Sequence, residues 1–176
     1  MANSESIEFL SDIFNTQARK RELQKLVVDE NMPVIHLQGL YGSATALVFS
    51  SLKDCGKQLI LVANDADEAG YLYHDITQIC DKEDIKFFPS GYKRAVKYGQ
   101  VDAANGILRT EALSRLNNKK KSCIIVTSPE GLAEKVVTDA ELKRGTLHIA
   151  VGEKIDSTFV TDMLFDFGFN RVDYVY

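Results

Sequence analysis

The sequence predicts an α/β fold: a parallel sheet with helices on both faces, followed by the start of a small α+β module. Three observations carry this. Short apolar runs alternate with amphipathic stretches over residues 34–135. Two of those runs, QLILVA at 58–63 and SCIIVT at 122–127, are almost purely apolar, which suits strands buried on both faces. Past residue 144 the β-prone runs change character and alternate apolar with polar, as strands with one solvated side do.

The elements follow in order. Residues 6–14 place Ile7, Leu10, Ile13 and Phe14 at helical spacing, and 19–29 carry Leu23, Leu26 and Val27 on one helical face. Pro33 then breaks the helix, because proline disfavours helical backbone in the residue before it. VIHL at 34–37 reads as the first strand. A helix over 44–53 has Leu47, Val48 and Leu52 at helical spacing, with Gly56 placed to end it. The second strand is 58–63. Asn64 or Asp65 caps the next helix, 68–80, whose stripe is Ala69, Leu72, Tyr73, Ile76 and Ile79. IKFF at 85–88 is the third strand, stopped by Pro89, Ser90 and Gly91.

Residues 92–101, YKRAVKYGQV, have little periodicity and read as an irregular connection. The helix over 102–116 turns Ile107, Leu108, Ala112, Leu113 and Leu116 to one side. The fourth strand, 122–127, leads into a short helix opened by Ser128, Pro129 and Glu130. TLHIAV at 146–151 is an alternating strand. Asp156 caps a helix through Phe167, and Gly168 ends it. VDYVY at 172–176 alternates again. The expected organisation is a helical segment over 1–33, an α/β domain over 34–135 and a small α+β module over 136–176. That last module is expected to be incomplete within these residues.

Composition narrows the function classes. The net charge of −4 argues against a free-standing domain that grips DNA by general electrostatics. Lys119, Lys120 and Lys121, with Arg115 nearby, form a local basic run, and a solvated loop explains it most simply. Cys55, Cys80 and Cys123 include no CxxC pair, and His36, His74 and His148 are scattered. Neither a disulfide framework, a metal site nor another cofactor is expected. The start, MANSESIEFLSDIF, lacks the basic region and apolar core of a secretory signal, and no run approaches the length of a membrane span. A cytoplasmic protein without a membrane partner is expected.

The most suggestive local stretch is HLQGLYGSATAL at 36–47, which lies between a β-prone run and a helix. A Walker A loop, G-x-x-x-x-G-K-[ST], wraps phosphates with backbone N–H groups, neutralises them with its lysine and binds magnesium through its hydroxyl. Aligned from Gly39, the second glycine position holds Ala44, the lysine position Thr45 and the hydroxyl position Ala46. Gly39, Gly42 and Ser43 retain the turn. Losing one preorganised stabilising group costs about 10²–10³ in rate, and here the lysine and the metal-binding hydroxyl are both gone. The sequence therefore predicts no ATP hydrolysis and no catalytic residue in this chain. Binding of an anion at the helix end stays open.

Other constellations carry less. Asp65, Asp67 and Glu68 cluster carboxylates after a strand, where ligands often bind, but acidic residues also suit a helix's first turn. Ser43 and Thr45 have no histidine base close in sequence. Tyr92, Lys93, Arg94, Lys97 and Tyr98 interleave aromatics with bases, a pattern able to stack and pair with nucleic acid.

The order of these pieces resembles a known family. GLYGSATAL looks like a worn version of the nucleotide loop of UvrB, the bacterial excision-repair helicase. QLILVANDADEAGYLYHDI, then FFPS, then a helix with Asp102, Arg109, Leu113 and Leu116, then IIVTSPEGL, then FGFNRVDYV follow it. That succession is similar to the N-terminal, UvrB-like region of bacterial transcription-repair coupling factors (Mfd), from about Val34 onward. The resemblance implies a P-loop-NTPase-like (RecA-like) partial domain. It further implies a non-catalytic scaffold in nucleotide excision repair, which helps to recruit UvrA through the small module. The segment between Pro89 and Asp102 is too short for the DNA-clamping hairpin of UvrB. In such proteins the ATP-driven motor is distant and C-terminal, and DNA and RNA polymerase are contacted elsewhere in the chain. Other domains hold the small module and mask it. Arg171 is the one position where an arginine of the UvrA-contacting surface carries over. The alternative is an active nucleotide- or nucleic-acid-binding enzyme fragment related to UvrB and helicases.

Overall fold

The computed structural model describes residues 9, 12–14, 16–31, 34–92, 102–118 and 121–172. The chain divides into two compact units, Met1–Lys135 and Val136–Tyr176. Unit one holds helices α1 (Ala18–Val28) and α2 (Ala44–Leu52), strand β1 (Gln58–Val62), α3 (Ala66–Ile79), β2 (Ile85–Phe88), α4 (Ala103–Asn117), β3 (Cys123–Thr127) and α5 (Pro129–Ala133). Unit two holds α6 (Asp139–Arg144) and α7 (Ser157–Asp166).

The three strands form a parallel sheet in the order β1-β3-β2. The order explains the helix positions. The chain steps from one edge to the other between β1 and β2, then back to the middle. Crossovers between parallel strands are right-handed, so reversing direction puts the two connecting helices on opposite faces. Packing follows. On one face Ala69 and Ile76 of α3 meet Leu61, Ile85, Ile124 and Val126, with Ala46 of α2 in the same cluster. On the other face Ala112, Leu113 and Leu116 of α4 meet Phe88, Cys123 and Ile125. Tyr73 stacks on Phe87 at 5.2 Å between ring centres. Successive β3 residues thus feed opposite cores, as the pleat requires, and all five are buried.

Two predicted strands are absent, and a third lies largely outside the described residues. Residues 34–37 carry no ladder, and Val34 is 79% exposed. The segment forms no ladder with any strand among the described residues, and a run of four residues is too short to hold an extended strand without one. Residues 146–151 lack a partner strand among the described residues and run into a turn at Gly152, whose φ is +92°. Val172 lies in irregular backbone, and the rest of the 172–176 strand falls outside the described residues, as do 93–101 and most of 6–14. One helix, α6, has no counterpart in the hydrophobic periodicity of the sequence. Its source is a capping box: Glu141 N–H donates to the Thr138 hydroxyl, and the Glu141 carboxylate accepts from the Thr138 N–H at 2.8 Å. No described helix is long and apolar enough to cross a membrane.

Gly131 sits where a side chain does not fit. A Cβ there would lie 2.8 Å from the Phe88 carbonyl oxygen and 2.8 Å from Thr127 Oγ1. Because one neighbour is backbone, Gly131→Ala is expected to cost about 1–3 kcal/mol, read from the midpoint of chemical denaturation. In unit two, the hydrogen bonds from Thr138 hold the Glu141 carboxyl below the ordinary carboxylate range. A depressed pKa stabilises the box above the unfolded value, and that contribution is lost as pH falls through the folded value. The Thr138 amide resonance is therefore expected to shift in acid, together with Glu141, below the pH at which exposed glutamates titrate.

Candidate functional site

The glycine turn is built as the sequence suggests, but its surroundings are not those of a phosphate cradle. Gly39 and Gly42 take φ of +79° and +55°, backbone that side chains disfavour. Ser43 is the N-cap of α2, yet its side chain accepts no helix N–H. Its hydroxyl donates instead to Asp75 Oδ2 of α3 at 2.8 Å. His74 Nδ1 stands 3.9 Å from Asp75 Oδ1. A carboxylate of the protein thus stands beside the first turn of α2. It favours the positive end of the helix dipole and repels any incoming phosphate. Ala44 and Thr45 are half-buried, and Ala46, where the metal-binding hydroxyl would be, is fully buried in the core.

The C-terminal rim of the sheet, where open α/β sheets hold ligands, is occupied by a polar clamp. Arg109 of α4 is buried, its guanidinium 4.1 Å above the Phe88 ring centre. Its Nη1 donates to the carbonyls of Pro89 (2.8 Å) and Gly131 (3.0 Å) and lies 3.3 Å from Glu134 Oε2. Glu134 also accepts from the Ser90 hydroxyl and from the Gly91 N–H at 2.8 Å. Asn105 donates to the Ser90 carbonyl at 2.8 Å, and Thr127 Oγ1 to the Phe88 carbonyl at 2.6 Å. The clamp ties the ends of β2 and β3 to α4 and α5. The Glu134 carboxylate is spent on this network, so it is poorly placed for proton transfer.

The remaining candidates separate. Asp65 accepts from the N–H groups of Asp67 and Glu68, and Glu68 accepts from Asn64, so these carboxylates serve the start of α3. Arg115 pairs with Asp84 at 2.7 Å and donates to the Ser122 carbonyl, which withdraws it from the basic run. Of that run only Lys121 is described, and of 92–98 only Tyr92. Arg171 is exposed, in irregular backbone. Burial pushes the Cys80 and Cys123 thiols up from their ordinary pKa. Both stay protonated near neutrality and make poor nucleophiles. Among the described residues no group of three His, Cys, Asp or Glu side chains could hold a metal ion. Sequence spacing could not have found the clamp or the Ser43–Asp75 contact, because their partners lie 15 or more residues apart.

Fold and site together define a mixed α/β protein with a three-stranded parallel sheet and a glycine turn at the start of α2. The chain is distantly similar to the transcription-repair-coupling factor of Staphylococcus haemolyticus, 28% identical over 165 residues. The match covers 92% of this chain and 14% of the relative, so the chain spans about a seventh of that protein's length. No family model matches the chain. No solved structure matches it significantly.

Two substitutions separate structural from incidental contacts. Arg109→Ala leaves Glu134 without its cation and is expected to cost about 3–5 kcal/mol in denaturant unfolding. Asp75→Ala removes one half-exposed hydrogen bond and is expected to cost no more than about 1 kcal/mol.

Proposed function

We propose that the chain is a non-catalytic scaffold region of a transcription-repair coupling protein, descended from a UvrB-like, P-loop-NTPase-like (RecA-like) domain. It would help to recruit UvrA in nucleotide excision repair. The observation that carries this is the turn after residue 38. The glycine geometry persists, Thr45 and Ala46 stand where phosphate and metal chemistry need lysine and a hydroxyl, and Asp75 places a negative charge at the helix start. The similarity over nearly the whole chain to a transcription-repair-coupling factor supports the same direction.

The recruiting surface is assigned to the second unit, 136–176, with Arg171 as one contact. Its exposure suits that role. DNA and RNA polymerase would be engaged by other parts of a longer protein, and so would ATP. The exposed acidic and capping groups of unit one then need no catalytic explanation.

Calorimetric titration of UvrA into a polypeptide that carries the second unit complete is the test. Saturable binding is expected, and Arg171→Ala is expected to weaken it about tenfold, the scale of a lost charged contact. An absence of binding heat would overturn the recruitment assignment.

A further inference from the structure

The solvent face of α3 is built unlike that of a helix stabilised by its own surface charges. Asp67, Tyr71, His74 and Gln78 follow one another at helical spacing, so they form one stripe, and all of them are exposed. Exposed Glu68 and half-buried Asp75 flank it. Neither α3 nor the glycine turn contains a lysine or arginine, since the sequence has none over residues 26–52 and 58–81. The Glu–Lys pairs one turn apart that stabilise an exposed helix face are therefore missing here.

Two tyrosines lie on this surface. Tyr71 is 75% exposed, and Tyr41, in the glycine turn, is 85% exposed. The Ser43 hydroxyl, two residues past Tyr41, donates to Asp75 Oδ2, and Asp75 lies one helical turn past Tyr71. That bond lays the turn on the side of α3 that carries Tyr71. Both phenol rings and the Asp75 carboxylate thus belong to one surface. Asp75 contacts His74 and Ser43, and among the described residues it pairs with no lysine or arginine. Helix stability does not explain its place, because a carboxylate favours the first turn and Asp75 lies in the second half of α3.

We infer that this face docks an arginine-bearing segment of another protein. An aromatic ring and a carboxylate one helical turn apart together recognise a guanidinium, which stacks on the ring and pairs with the carboxylate. Arg109 of this chain is held by the same two groups, over the Phe88 ring and against Glu134. Asp67, Glu68 and Asp75 meet the phosphates of a nucleic acid with like charge, so the partner is a polypeptide. A polar face with exposed tyrosines suits a partner that binds and leaves, whereas a permanently packed neighbour buries a more apolar surface. The face belongs to unit one, and UvrA recruitment is assigned to unit two, so either inference can fail alone.

The test is a titration of the 176-residue chain with a peptide of alternating arginine and glycine, followed by backbone amide resonances. Saturable shifts are expected at residues 41–43 and 71–75. A lysine–glycine peptide of the same length should bind about tenfold more weakly, because an ammonium lacks the planar fork that stacks and pairs at once. Tyr71→Ala and Asp75→Asn should each weaken the arginine peptide about tenfold. Asp75→Asn keeps an acceptor for the Ser43 hydroxyl, and an unchanged spectrum elsewhere shows that each variant is folded. Equal affinity for the two peptides, untouched by Tyr71→Ala, would reduce the face to general charge attraction and overturn the inference. An absence of saturable shifts would also overturn it. So would the same shifts produced by a single-stranded oligonucleotide, or by raising the concentration of the chain alone.

Discussion

The first unit depends on one constraint, the full enclosure of β3. Its two edges are taken by β1 and β2, and its two faces by different helices. Five buried residues in a row, with no charge among them, can occupy only the middle of a sheet. Each buried isoleucine or valine there contributes about 1.5–3 kcal/mol relative to exposure. From that position the rest follows. The chain must leave one edge, reach the other and return, so α3 and α4 fall on opposite faces. The loops after β2 and β3 then meet at one rim, and Arg109 and Glu134 bind them together.

The legible part of the fold is the part encoded locally. QLILVA, IKFF and SCIIVT form strands where their apolar runs predict them, but only SCIIVT is buried on both faces. Among the described residues β1 lies at an edge with Ile60 and Val62 half-exposed, because a run's composition does not say how many neighbours it will have. The start of α3 was legible because Asp65 is a short acceptor ahead of an amphipathic run, and it caps the helix as that pattern suggests. VIHL failed because a strand is a relation between two edges, and a run of four residues carries no information about its partner. TLHIAV failed for the same reason, with a glycine turn at its end. The Thr138–Glu141 box was present in the sequence, but hydrophobic periodicity does not register it. Gln58 at the head of β1 illustrates a third kind of limit, since its side chain reaches the Leu116 carbonyl 58 residues away.

The candidate site shows a similar division. If the turn is aligned with a Walker A loop, as proposed, the sequence alone puts Thr45 and Ala46 where the motif has its lysine and hydroxyl. It does not reveal what stands beside the turn. Asp75 reaches Ser43 from the middle of another helix, and only the packing of α2 on α3 brings them together. On the proposed reading, the absence of a lysine and the presence of Asp75 act in the same direction. One removes the phosphate's counter-charge, and the other puts a like charge next to the place where a phosphate would sit.

We propose that this turn is a structural platform and not a nucleotide site. That proposal is tested most directly by following the backbone amide resonances of Gly39, Gly42 and Ser43 while Mg-ATP is added to the chain. The account predicts that none of the three shifts with saturation at millimolar nucleotide. Saturable shifts confined to these amides would contradict it, with or without hydrolysis of the bound ATP.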